Sequence, residues 1–255
     1  MPLVLSRRDD VAVLVLDRQE ALNALSFALV EELAAAFDAV GKMGVRALLI
    51  TGAGSKAFCA GADVGELRGR DAAAHKRSLE RSQEVLSKLD ALPIASIAVI
   101  NGYAFGGGLE LALAATFRLA TANARLAFPE IKLGMIPGYG GTQRLPRIVG
   151  EARALELILT GRTVAAEEAH RIGLVHRLID GDAIEAGVAF ARELTQYSLP
   201  VLALARSAVT HALDVPVREG LKLEAEAATL AYATADAQEG LAAFLEKRAP
   251  VFRDA

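Results

Sequence analysis

Two short apolar runs, Val45–Thr51 and Ile94–Ile100, are separated by a charged helical stretch, and they constrain this chain more than any other feature. Runs so brief and so uniformly apolar suit strands buried on both faces, which arise when helices cover a mainly parallel sheet. The neighbouring segments agree. Leu3–Ser6 and Val11–Leu16 are β-prone and flank Arg7–Asp10, which predicts a hairpin. Ser26 is placed to cap a helix reaching about Val40, with Leu29, Leu33, Ala36, Phe37 and Val40 on one face and Gly41 as its stop. Gly52–Asp63 reads as a loop, and a second helix is expected from about Asp71 to Leu89, before Pro93. Strand, helix, strand, helix, strand predicts an α/β unit with right-handed crossovers.

Beyond Asn101 the pattern changes. Gly106-Gly107-Gly108 runs into a helix over Leu109–Ala115, and Thr116–Ala120 returns as a strand. From Gly141 onward the chain reads as almost wholly helical, apart from a strand-like Gly173–Ile179. A boundary near Tyr197–Pro200 divides an α/β core, 1–197, from a helical C-terminal region, 198–255. No repeat or linker is visible. No apolar stretch approaches the ~20 residues of a membrane helix. The 53% hydrophobic content therefore needs another outlet, and burial between subunits of a homo-oligomer is the expectation. A net charge of −3 carries no footprint for nucleic acid. Cys59, the one cysteine, points to a reducing compartment, and with no export pattern at the start the cytoplasm is the expected location.

Three features could carry chemistry. Leu48–Ala57 contains a strand followed by GxGxxA, but no helix opens at the third small residue, so a dinucleotide site is rejected in favour of a plain turn. The glycines at 106–108 put unpartnered helix N–H groups where a backbone can approach a ligand closely. Such a terminus suits a phosphate or a developing oxyanion, and equally a sharp turn needing positive φ. The third feature is a pair of carboxylates. Glu110 lies in the first turn of the helix among apolar neighbours, and Glu130 follows Phe128-Pro129. A carboxyl in apolar surroundings has a raised pKa suited to proton transfer near neutral pH. The plainer alternatives are a helix-dipole partner for Glu110 and a surface cap for Glu130. His75, His170, His176 and His211 show no ligand spacing, so no metal is expected, and Cys59 reads as a packing residue.

Read together, Phe58–Asp63, Asn101–Glu110, Pro129-Glu130 and Ile136–Arg147 resemble the crotonase (enoyl-CoA hydratase/isomerase) family. The resemblance extends to Ala21–Leu25 and to Glu239-Gly240 with Phe244–Arg248. It implies a crotonase-like (ββα)n spiral core and a C-terminal helical trimerisation region, in a trimer or a dimer of trimers. It places an oxyanion hole at the Ala62 and Gly107 amides. Both Glu110 and Glu130 are implied as catalytic, a pairing that marks the hydratases. Glu110 would orient and deprotonate water, and Glu130 would deliver the proton at Cα.

CoA enters only as part of the acyl-thioester substrate, with no tightly bound cofactor. Substrate contacts are implied at Ala21, Leu22, Lys56, Ala60, Asp63 and Tyr139, and at Phe244 and Lys247 toward a neighbouring subunit's site. The sequence departs from the family pattern at Gln19, at Gly65 where some hydratases carry lysine, and at Tyr139, which stands beside the implied acyl pocket. The competing readings are a Δ3-Δ2 enoyl-CoA isomerase using Glu130 alone, a related CoA lyase or decarboxylase, and a non-catalytic RNA-binding homologue. A glycosidase is disfavoured because Trp is absent and aromatics are scarce.

Overall fold

In the computed structural model, which describes residues 2–255, the two apolar runs become the centre of a six-stranded sheet. The strands in chain order are β1 (Leu3–Arg8), β2 (Val11–Leu16), β3 (Ala47–Gly52), β4 (Ala57–Cys59), β5 (Ala95–Ile100), β6 (Tyr103–Phe105), β7 (Phe117–Thr121), β8 (Arg125–Ala127), β9 (Val164–Ala165) and β10 (Arg177–Ile179). The large sheet runs β1-β2-β3-β5-β7-β10, parallel except for the β1–β2 hairpin. Leu48, Leu49, Ile50 and Ile97 are fully buried, as continuous apolar strands between layers must be.

The helices follow their sequence signals closely. Helix α1 (Phe27–Val40) starts where Ser26 Oγ accepts from the Leu29 amide and ends at Gly41. After the one-turn α2 (Val64–Leu67), α3 (Ala72–Ala91) is capped by Asp71 in the same way, through the Ala74 amide. Then come α4 (Gly107–Ala114), α5 (Gly141–Val149), α6 (Glu151–Thr160), α7 (Ala166–Arg171) and α8 (Ala183–Thr195).

A second sheet, not expected from the sequence, lies beside the first. The region 52–63, expected as loop, contains β4, and β6 and β8 lie in segments given no secondary structure. These short strands form a separate sheet, β4-β6-β8-β9, parallel through its first three members. Each long strand is thus followed by a short one and then by helix: β3-β4 by α2 and α3, β5-β6 by α4, and β7-β8 by a 3-10 turn at Pro129–Leu133. This is the ββα spiral that the resemblance implied, a structural repeat with no repeat in the sequence.

The chain divides into two compact units between Ala191 and Arg192, six residues before the expected boundary after 197. The C-terminal unit contains α9 (Leu199–Thr210), α10 (Val217–Tyr232) and α11 (Ala235–Glu246). Its tail is tied back on α11. Buried Asp236 accepts from the Arg253 and Asp254 amides, and Glu239 pairs with Arg248 at 2.6 Å. No helix among the described residues is long and apolar enough to cross a membrane.

Candidate active site

The short sheet assembles the site. Ala62, Gly107 and Glu130 each lie two or three residues past the C-terminal end of one of three adjacent parallel strands, β4, β6 and β8. The carboxyl ends of parallel strands are where α/β folds gather their ligands. Neighbouring strands bring residues remote in sequence into contact.

The loop carrying Ala62 is stitched from both sides. Buried Asn23 donates to the Ala57 carbonyl at 2.8 Å, and Asn101 donates to the Gly52 and Gly54 carbonyls at 2.7 and 2.8 Å. Leu25 bridges the same loop, donating to the Gly61 carbonyl at 2.8 Å and accepting from the Asp63 amide at 2.9 Å. That pattern skips the Ala62 amide. Gly107 opens α4, so its amide has no helical partner either. Among the described residues, neither amide has an acceptor within the chain. The two lie side by side: a Cβ built on Gly107 would stand 3.4 Å from the Ala62 nitrogen, and one on Gly61 would stand 3.7 Å from the Gly107 nitrogen. Two free amides at one spot form an anion-stabilising pair.

Glu110, in the first turn of α4, is only 2% exposed. Its Oε1 accepts from the Tyr139 and Gly141 amides, both at 2.7 Å, so Oε2 is the oxygen left for a water. Burial pushes the carboxyl up to about 7 against the pull of the Gly141 amide; Glu130 adds to the rise, and the Tyr139 amide and Arg144 oppose it. Gly141 has no room for a side chain, because a Cβ would stand 2.8 Å from the buried Phe128 ring and 3.0 Å from Glu110 Oε1.

Glu130 lies in the 3-10 turn after β8, and its buried Oε2 has no hydrogen-bond partner within the chain. Burial raises its pKa as well. Its Oε1 presses on Gly106, where a Cβ would stand 2.7 Å away and where φ is +48°. The plain alternative of a solvated surface cap does not hold for Glu130. An orphaned carboxylate oxygen, on a residue close enough to raise the Glu110 carboxyl and packed on the glycine that precedes a free amide, is suited to moving protons around an anionic intermediate.

The other expected contacts scatter. Leu22 sits in a left-handed turn and accepts from the Ala60 amide at 3.0 Å, so Ala21, Leu22 and Ala60 lie together next to the Ala62 loop. Asp63 caps α2 through the Gly65 amide and pairs with Arg18 at 2.8 Å, a structural use of its carboxylate. Lys56 is exposed at the opposite end of β4. Phe244 and Lys247 lie exposed at the end of α11 in the C-terminal unit. Cys59 is buried and its thiol is pushed up to about 12 by desolvation, which fits packing and not nucleophilic attack.

Sequence reasoning missed the Tyr139 and Gly141 amides as the groups that orient Glu110. The paired glycines 140 and 141 before a helix were the available signal, the same one that drew attention to 106–108.

The sequence and the fold both have near counterparts among known proteins. The model of the enoyl-CoA hydratase/isomerase family matches residues 6–255. The chain is 38% identical over 249 residues to the crotonyl-CoA hydratase of Syntrophomonas wolfei, covering 96% of this chain and 95% of that protein. It is 37% identical to the 2,3-dehydroadipyl-CoA hydratase of Escherichia coli, covering 98% of each. The enoyl-CoA hydratase structure from Bacillus anthracis superposes with a TM-score of 0.94 at 37% identity, covering 100% of both chains. The chain belongs to the enoyl-CoA hydratase/isomerase family.

Proposed function

We propose that this enzyme hydrates trans-2-enoyl-CoA thioesters to 3-hydroxyacyl-CoA by syn addition of water. The observation that carries this reading is a buried Glu110 and a half-buried Glu130 with an orphaned Oε2, both with raised pKa, in the same site as two unpartnered amides. The thioester oxygen binds at the Ala62 and Gly107 amides. Attack of water at C3 pushes electron density through the conjugated system onto that oxygen, so both hydrogen bonds strengthen in the transition state; losing one such donor costs about 3 kcal/mol. Glu110, held by two amides, orients the water through Oε2 and takes its proton. Glu130, whose Oε2 is free, delivers a proton to C2 as the enolate collapses. The roles belong to the coupled pair, which titrates as a unit.

CoA enters as part of the substrate. Ala21, Leu22, Lys56, Ala60 and Asp63 are proposed as its contacts, with Phe244 and Lys247 reaching it from a neighbouring subunit of a trimer or dimer of trimers. The fixed placement of Glu110 favours hydration over the isomerase alternative, which uses Glu130 alone. The test is loss of the conjugated thioester absorbance with crotonyl-CoA. Glu130→Gln is expected to lower kcat by about 10²–10⁴-fold with KM nearly unchanged. Near-normal hydration by that variant contradicts the assignment.

A further inference from the structure

One wall beside the two amides is made by a side chain. Tyr139 is 4% exposed, and its ring lies on Gly107, where a Cβ would stand 3.0 Å from both Cδ2 and Cε2. The same Cβ position is 3.4 Å from the Ala62 nitrogen, so the ring stands immediately next to the oxyanion donors.

The loop bearing Tyr139 is gripped by one face of α3. Leu79 packs on Gly138, where a Cβ would stand 2.6 Å from Cδ2, and Gln83 Nε2 donates to the Gly138 carbonyl at 2.8 Å. Ser82, buried between them, faces the Tyr139 hydroxyl. Positions 79, 82 and 83 share one helical face. Three attachments from one rigid helix make the ring a fixed wall and not a swinging gate. On the far side of Ser82 lies a groove between α1 and α3 whose apolar floor, Phe27, Val30 and Ala74, is rimmed by the charged Glu31, Arg70, Arg77 and Arg81.

A trans-2-enoyl chain with its thioester oxygen on the two amides starts from beside Gly107, the residue that the Tyr139 ring covers. Resting on the hydratase reading, the geometry points to Tyr139 as the specificity-determining residue that ends the acyl pocket: the enzyme takes short acyl groups, on the order of four carbons, because the ring blocks the route into the α1–α3 groove.

The test is kcat/KM across crotonyl-, hexenoyl-, octenoyl- and decenoyl-CoA for the natural enzyme, Tyr139→Ala and Tyr139→Phe. The natural enzyme is expected to prefer crotonyl-CoA over octenoyl-CoA by about tenfold or more. Tyr139→Ala is expected to raise the octenoyl-to-crotonyl ratio by about tenfold or more, and Tyr139→Phe, which keeps the ring, to preserve the natural profile. A flat profile in the natural enzyme overturns the inference whether or not the alanine variant folds. So does an unchanged ratio in a folded Tyr139→Ala, or a lost limit in Tyr139→Phe. Failure to hydrate any of the four esters overturns the hydratase reading itself, a distinct outcome from turnover without chain-length preference.

Discussion

Glu110 shows how a single residue trades stability for chemistry. Its carboxyl titrates at about 7 in the fold against 4.5 ordinarily. Because the folded value is raised, this one group favours the fold most below pH 4.5, and that contribution is lost as the pH climbs from 4.5 through 7. The penalty on the alkaline side is on the order of 3 kcal/mol. Glu110→Gln keeps an oxygen for the Tyr139 and Gly141 amides but never ionises. It should melt several degrees above the natural protein at alkaline pH, with the two converging as the pH falls toward 4.5. Thermal unfolding across that range checks this, and a pH-independent difference would count against a buried ionising Glu110. The same variant should lose about 10²–10⁴-fold in kcat. The two carboxylates were legible in the sequence because charge among apolar residues is conspicuous. The amides that orient Glu110 were not, since any residue can supply an N–H and only position reveals which one does.

At the scale of elements, the long strands and the capped helices were plain from apolar runs and from Ser26, Asp71 and Gly41. The strands that place the site were not. Those of three residues, β4, β6 and β8, carry no readable period, and β4 is held at the Ala57 carbonyl by a side chain from elsewhere in the chain, Asn23. What the sequence offered instead was the glycines that let these layers touch. A Cβ on Gly108 would stand 2.1 Å from the Cys59 carbonyl oxygen, a backbone atom that cannot turn aside. Gly108→Ala should therefore push α4 off β4, costing about 1–3 kcal/mol and lowering Tm by several degrees. An unchanged Tm would mean that the helix and the short sheet pack more loosely than this contact requires.

Across the whole molecule, the α/β unit supplies the two unpartnered amides and both glutamates, and the C-terminal unit exposes several large apolar side chains. Val209, Leu213, Val217, Phe244 and Leu245 are each at least 68% exposed. Surfaces of that kind mark subunit interfaces. Light scattering should give a mass that is a multiple of three of the 26.8 kDa chain. A monomer in solution would remove the proposed roles of Phe244 and Lys247 toward a neighbouring site.

The central step of the proposed reaction is the addition of water across an enoyl thioester by two amides and two carboxylates. Crotonyl-CoA incubated with the enzyme in ¹⁸O-labelled water, with the product analysed by mass spectrometry, tests that most directly. The predicted result is 3-hydroxybutyryl-CoA carrying a single ¹⁸O at C3, formed at least about 10²-fold more slowly by Glu110→Gln and by Glu130→Gln. An unlabelled product with a shifted double bond, or label incorporated equally fast by both variants, would contradict it.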